Sequence, residues 1–323
     1  MSARFSSNFS VKFSCFLFFC AVFIVFTKTA CVIVKKVCNK GRKCSFFMTM
    51  LDISTHTWYT DSKKKKKIRR MDMNGENITQ KASEKEEKNG VTLGEYEVLE
   101  DMLIDGLKIV QDTRLYRFTS DSVLLSRFAK GKKGDVVADF CAGSGIVAFH
   151  FHALNKERLQ GLKYTLFEMQ KELSELSKKT AKWNNFDNFE SVQCRLQDLY
   201  EKPMRQYHEA FSLVLCNPPY EKKGVGFDND EYHKAICRKE ITLTLAEIAE
   251  AASYALKFGG RLCMLHRADR LPEVCYTLHA VNIEVKKIQF VGGRYGTKPY
   301  LVMIEGVKGG KACSEIFPTI YNE

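Results

Sequence analysis

None of the twelve cysteines of this 323-residue chain form a Cys-x-x-Cys pair, and no set of them has the spacing of a zinc site or a disulfide framework. That excludes a metal-stapled or secreted cysteine scaffold and agrees with a reducing compartment. Cys141, Cys194, Cys216 and Cys263 instead fall at or beside strand-like runs, where a small apolar side chain fits. There is no internal repeat, which excludes a solenoid, and no second folded domain. The apolar run over residues 13–27, between Lys12 and Lys28, has fifteen residues, short of the roughly 20 that span a bilayer. It suits a signal-peptide core, although Lys28-Thr29-Ala30 offers no convincing cleavage site.

Positive charge is scarce where it would matter most. The net charge of +12 looks like a nucleic-acid signal, but residues 1–70 hold fifteen of the 50 Lys and Arg and two of the 38 acids. The remainder has 35 basic and 36 acidic side chains, a balance of −1. Such a body can meet a polyanion only through a local patch, for which Lys222, Lys223, Lys234, Arg238, Lys239, Arg267, Arg270 and Arg294 are the candidates. Residues 1–70, with a basic run at 63–70, are expected to be a non-native extension ahead of a start at Met48, Met50, Met71 or Met73, or else a membrane anchor. Residues 71–95, rich in Lys, Glu, Asn and Ser, are expected to be a disordered lead-in, and residues 96–323 the folded domain.

Within that domain the most informative residues are Asn217-Pro218-Pro219-Tyr220, placed where the apolar run over residues 211–216 stops. A Pro-Pro pair cannot continue a strand and carries no N–H, so the carbonyls of Asn217 and Pro218 are held without a competing donor. With the Asn217 side-chain oxygen and the ring of Tyr220, the tetrad makes a flat clamp. It accepts hydrogen bonds from a planar NH2 and stacks on the ring behind it.

Upstream, residues 135–139 form a short β-branched run ending in Asp139, followed by Phe140-Cys141-Ala142-Gly143-Ser144-Gly145 and a buried helix start over 146–151. Gly143 and Gly145 let the backbone approach a ligand, next to the free N–H groups of the helix. The segment also fits Gly-x-Gly-x-x-Ala, with Glu168 at ribose-contact distance, so a nicotinamide enzyme is a rival on this segment alone. Chain order separates the two. Strands over 164–168, 191–195 and 211–216 alternate with a helix over 170–184 and a shorter segment over 199–207, the pattern of a parallel sheet with ligands at its carboxyl edge. Asp139, Glu168, Asp198 and Asn217 all fall at such ends. Further on, a helix over 240–257 ended by Gly259-Gly260, a fifth strand over 261–266, a helix over 269–280 and an antiparallel pair over 286–290 and 301–305 complete the sheet. The loop over 292–296 lies on the substrate side, and the Gly-containing stretch over 221–233 is expected to be a mobile loop over the target. His233 and His266 are expected to be core or surface residues rather than catalysts.

From about Tyr96 onward the chain resembles the class I methyltransferases that use S-adenosyl-L-methionine. The resemblance rests on residues 116–125, the 139–145 turn, Asn217 to Tyr220, residues 236–241 and Gly259-Gly260-Arg261, in order. Within these it is similar to the bacterial valine-tRNA adenine-N6 group, which acts on the adenosine directly 3′ of the anticodon. The resemblance implies an α/β, seven-stranded Rossmann-like fold, its sheet mostly parallel with an antiparallel C-terminal hairpin. It also implies that Glu168, with Met169, holds the cofactor's ribose hydroxyls, and that Asp198, with Leu199, holds its adenine amino group. Asp139, Cys141, Gly143 and Gly145 would face the methionine end, with Cys141 where many relatives have glycine. Phe118 and Thr119 would close over the cofactor; from the residues alone, Thr119-Ser120-Asp121 reads as an N-cap for the helix through Phe128. Asn217, Pro218, Pro219 and Tyr220 are the implied catalytic residues, and a tRNA anticodon loop the implied partner. The expected enzyme is cytoplasmic, a monomer or weak dimer, and meets a membrane only if the leader is real. The same clamp also suits a protein glutamine amide, although residues 82–127 are too short for the helical domain of release-factor methyltransferases. Ribosomal RNA and DNA substrates, and a non-catalytic membrane-attached protein, complete the alternatives.

Overall fold

β-Branched runs that are apolar at every position are stable in a sheet only when helices cover both of its faces, and residues 136–267 build that arrangement. In this computed structural model, residues 87–220 and 242–322 are described. The expected leader, the lead-in to residue 86, the loop over 221–233 with His233, the 236–241 motif, and Lys222, Lys223, Lys234, Arg238 and Lys239 lie outside the described residues. β5 (Val136–Phe140), β6 (Lys163–Glu168), β7 (Phe189–Gln193), β8 (Phe211–Cys216) and β9 (Leu256–Arg267) run parallel in the order β9-β8-β5-β6-β7.

Alternation along the strands sorts the core into two layers. Val137, Leu213, Leu215, Cys263 and Leu265 pack with Leu125 of α1 (Ser120–Phe128) and the apolar face of α2 (Ile146–Asn155). Ala138, Val214, Cys216, Leu262 and Met264 face α4 (Leu245–Ala255) and α5 (Leu271–Ala280). Each fully buried aliphatic or aromatic side chain here contributes about 1.5–3 kcal/mol by leaving water. α3 (Lys171–Trp183) bridges β6 and β7, and its Leu173, Leu176 and Trp183 are covered by Val91, Leu93 and Val110.

Those three covering residues belong to segments that the sequence reading left disordered or unread. Residues 87–95 are not a disordered lead-in, because β1 (Glu87–Lys88) pairs with β2 (Val91–Thr92). Next, β3 (Glu97–Asp101) and β4 (Lys108–Asp112) form a second hairpin, tied to α3 by Val110 N–H donating to Thr180 Oγ1 at 3.0 Å and by a Lys179–Glu97 ion pair. The apolar face of α3 needs that cover.

Among the described residues the main sheet has eight strands rather than seven. β10 (Ile283–Gly292) and β11 (Leu301–Lys308) make the expected antiparallel pair, but β12 (Glu315–Tyr321) adds parallel to β10 at the edge. Pro318 hides that strand from sequence patterning. It is tolerated at an edge, where the register shifts opposite Gln289 and Val291. Gly259 and Gly260 do not end a helix either; α4 already stops at Ala255, and the two glycines make an irregularity inside β9, where a Cβ at Gly260 would meet the Lys257 carbonyl at 2.7 Å. Since β10 and β12 run in the same direction as β9, Gly292 and Tyr321 lie on the same carboxyl edge as Phe140, Glu168 and Cys216.

Candidate active site

The carboxyl ends of β5, β6, β7 and β8 open into one cleft enclosing about 860 Å3, part of it open to solvent. Of the expected site residues, Phe118, Cys141, Gly143, Glu168, Met169, Asn217 and Pro219 line it. Tyr116, Ser122 and Ser144, from the segments that carry the resemblance, line it too, as do Gln170, Arg195, Gln197 and Leu243, which the sequence did not single out.

The floor is the turn after β5. Gly143 and Gly145 have φ of 56° and 91°, which an L side chain adopts only with strain. A Cβ on Gly145 would also meet Phe149 and Leu166 within 2.6 Å, so glycine there lets α2 approach β6. Around Gly143 a Cβ would meet open space, which makes that glycine a cradle in the cleft. Cys141 also has a positive φ, 57°, the physical reason that glycine suits this place. The hydrogen bond with Cys216, and then burial, push its thiol well above its ordinary pKa, so it stays protonated.

Glu168 ends β6 and is 8% exposed. Its oxygens accept from Gly143 N–H and Gln170 N–H, each at 2.8 Å, which fixes the side chain and leaves each oxygen a further lone pair. Burial raises its pKa, and backbone donors at Gln170, Gly143 and Met169 oppose the rise. Asp139 differs. It is 1% exposed beneath the turn, its Oδ2 accepts from Ala148 N–H at 3.1 Å in the first turn of α2, and burial pushes its pKa up to about 8. It does not line the cleft; it supports the floor.

Asn217 is held in one orientation at the cleft. Its Nδ2 donates to Ser122 Oγ at 3.0 Å, which fixes the amide orientation, and its Oδ1 is buried with no hydrogen-bond partner among the described residues. A buried acceptor left unpaired costs about 1–3 kcal/mol, which a ligand donor at this atom would offset. α1 holds the other end of the turn as well: Tyr220 Oη donates to Asp121 Oδ2 at 3.1 Å. Burial raises the pKa of Asp121, against the pull of that hydroxyl. Pro218 and Pro219 are buried beneath. Arg270, a candidate phosphate contact from sequence, is 8% exposed; it grips Glu273 at 2.9 and 2.7 Å and donates to the Tyr220 carbonyl at 3.2 Å. It holds the turn and does not face solvent. Behind it, His266 is 1% exposed and driven down to a pKa of about 4 by burial and by Arg270, with its ring 6.1 Å from that of Tyr220.

Asp198, Leu199 and Thr119, like Asp139, are not among the residues lining the cleft. Asp198 turns back to accept from Arg195 N–H at 3.4 Å, capping the 3-10 helix Leu196–Tyr200, and does not line the cleft. Leu199 is fully buried in the core. Thr119 occupies the cap position of α1 without a side-chain cap hydrogen bond. The residue that sequence reasoning missed most is Gln111 of β4. Its Nε2 donates to Ser144 Oγ and its Oε1 accepts from Phe118 N–H at 3.4 Å, so one side chain joins the glycine turn to the cleft's aromatic wall. Only recognition of the β3–β4 hairpin would have exposed it.

A model of the methyltransferase small domain matches residues 119–273, the span that holds the glycine turn, Glu168 and the Asn217 turn. Over that span the chain is similar to the methyltransferases. It is 26% identical over 147 residues to the tRNA1(Val) (adenine(37)-N6)-methyltransferase of Shewanella sp. strain MR-4, covering 44% of this chain and 57% of that one. Its identity to the protein of the same name from Shewanella frigidimarina NCIMB 400 is 23% over 172 residues, 52% of this chain and 66% of that one. The chain thus spans little more than half the length of the first of these relatives. A crystal structure from Agrobacterium tumefaciens, described as a predicted O-methyltransferase, superposes with a TM-score of 0.49 at 18% identity, over 62% of this chain and 86% of that one. The methyltransferase cofactor, S-adenosylmethionine, fits the residues present: an acceptor-only carboxylate at Glu168, an open cradle at Gly143 and apolar walls from Phe118, Ile146, Leu196 and Leu243. Among the described residues no cluster of His, Cys, Asp and Glu could hold a metal ion, and no helix is long and apolar enough to cross a membrane.

Proposed function

We propose that this methyltransferase transfers a methyl group to the exocyclic N6 of an adenine in RNA, the adenosine directly 3′ of the anticodon of valine tRNA. One observation carries the amino-group part of this reading: the unpaired, buried Oδ1 of Asn217 at the cleft, with its amide locked by Ser122. The names of the relatives support the tRNA part.

Glu168 holds the ribose hydroxyls of the cofactor, and the Gly143 cradle takes its methionine end. The cofactor supplies a sulfonium methyl that is already an activated electrophile. The residues need only place the nucleophile, since the N6 lone pair is delocalised into the ring and weak. Asn217 Oδ1 and the Pro218 carbonyl accept the two N6 hydrogens, which favours the pyramidal, charge-developing nitrogen in the transition state. Tyr220 stacks on a base splayed from a single-stranded loop. Its hydroxyl is anchored on Asp121 and its carbonyl on Arg270, so the stacking face is set before the base arrives. Asp198 and Leu199 would then act on the adenine end only as supports of the Cys194–Gln197 wall. We further propose a cytoplasmic enzyme, monomeric or weakly dimeric.

Incubation with labelled S-adenosylmethionine and total RNA, followed by digestion to nucleosides, tests the reading. Label in N6-methyladenosine is expected. No label in RNA, with label in glutamine amides of a cell extract treated in parallel, would move the same clamp to a peptide substrate.

A further inference from the structure

The carboxyl edge carries a second surface that the methyl-transfer chemistry does not use. Tyr295 is 85% exposed, and its ring lies 5.5 Å from that of Tyr321, itself 38% exposed. Tyr300, 42% exposed, receives a hydrogen bond from Asn322 Nδ2 at 3.4 Å. Residues 292–300, Gly-Gly-Arg-Tyr-Gly-Thr-Lys-Pro-Tyr, contain no acid, and Arg294 and Lys298 are exposed. The Arg294 backbone is pinned by Thr297, whose Oγ1 accepts from Arg294 N–H at 3.1 Å and donates to its carbonyl at 2.6 Å. The acid facing this loop is Asp269, already gripped by Arg267 at 3.0 and 2.6 Å.

This surface adjoins the catalytic turn by two independent routes. Asn322 Nδ2 donates to Ser120 Oγ at 3.2 Å, and the next residue of α1, Asp121, binds Tyr220. On the other side, Ala268 N–H donates to the Tyr300 carbonyl at 3.1 Å, two residues before Arg270 reaches the Tyr220 carbonyl. Exposed aromatic faces interleaved with cations, on a body otherwise short of positive charge, match unpaired nucleotides: rings stack on bases while cations take phosphates. A duplex, with its bases already stacked, offers them little.

We propose that Tyr295 and Tyr321, with Arg294 and Lys298, form a seat for the single-stranded nucleotides flanking the target base. This rests on the RNA reading of the clamp. The seat explains how residues 71–323, whose charges nearly balance, hold a polyanion, and it selects loops over helices.

The test uses the full chain and a fluorescein-labelled RNA hairpin with an adenine-containing loop, alongside the same sequence annealed to its complement. Tyr295→Ala is expected to weaken hairpin binding about five- to fifty-fold, and to leave cofactor affinity, melting temperature and the weaker duplex binding unchanged. Tyr295→Phe, which keeps the face, is expected to bind as wild type does. The double variant Arg294→Ala/Lys298→Ala should make the dependence of log Kd on log salt shallower by about 1.4. If the wild type methylates RNA while Tyr295→Ala keeps wild-type hairpin affinity and KM, the seat is wrong and the RNA reading stands. A wild type that neither binds the hairpin nor methylates RNA overturns both.

Discussion

Arg270→Met separates a residue that holds the catalytic turn from one that merely fills space. The guanidinium side chain is 9% exposed and bridges Glu273 to the Tyr220 carbonyl, so methionine keeps much of the volume and removes the donors. Glu273, 42% exposed, can be rehydrated, and its loss of a partner costs little. The Tyr220 carbonyl loses a charge-assisted hydrogen bond, of a kind that contributes about 1.5–3 kcal/mol. If that bond fixes the stacking face, the loss appears in the barrier, as a fall in kcat of about 10- to 100-fold. Cofactor affinity should not change, because Arg270 is not among the residues lining the cleft. Arg270→Lys, which keeps one cationic donor, should recover part of the rate. Turnover at saturating cofactor, calorimetric titration with S-adenosylmethionine and a thermal melt measure the three quantities. A variant with a lower melting temperature and unaltered kcat would show that Arg270 only stabilises the fold.

Three further outcomes follow from the floor of the cleft. Glu168→Ala is expected to weaken cofactor binding by about 1–3 kcal/mol through loss of a charged acceptor, while NAD binding by the wild type in the same calorimeter would revive a dehydrogenase reading. At Cys141, with φ of 57°, glycine should leave stability within about 1 kcal/mol of wild type and valine should lower it by about 2 kcal/mol or more, read from chemical denaturation; equal effects would mean the backbone conformation is not the constraint. Asp139, with a folded-state pKa raised to about 8 against an ordinary carboxylate in the unfolded chain, contributes stability that is complete below about pH 4 and lost as pH rises to 8. Asp139→Asn should flatten that decline, and melts across this window showing the same slope in both proteins would refute the assignment.

What the sequence made legible was local. The ends of β5, β6 and β8, the glycine turn and the Asn217 tetrad each announce themselves by a change of residue type within a few positions, so their placement at one edge follows from strand and helix order. Distant pairings were not legible. Gln111 reaches Ser144 from a hairpin whose short, half-buried strands carry little periodicity, and Val91 and Leu93 look like part of a charged tail until α3 needs a cover. Asp198 has the sequence position expected of a cofactor contact, yet the 3-10 helix that contains it uses its carboxylate as a cap. Arg270 looks like any surface cation because composition says nothing of burial. Thr244 and Glu247 form a capping box that starts α4 five residues later than its apolar spacing suggests.

The central claim is that Asn217 Oδ1 receives the reacting amino group. The most direct measurement compares wild type and Asn217→Ala for label appearing in N6-methyladenosine from total RNA, with cofactor affinity taken on the same samples. The account predicts a loss of about 2–4 kcal/mol of transition-state stabilisation, a rate lower by roughly 30- to 1,000-fold, with cofactor affinity nearly unchanged. Equal rates in the two proteins would contradict it.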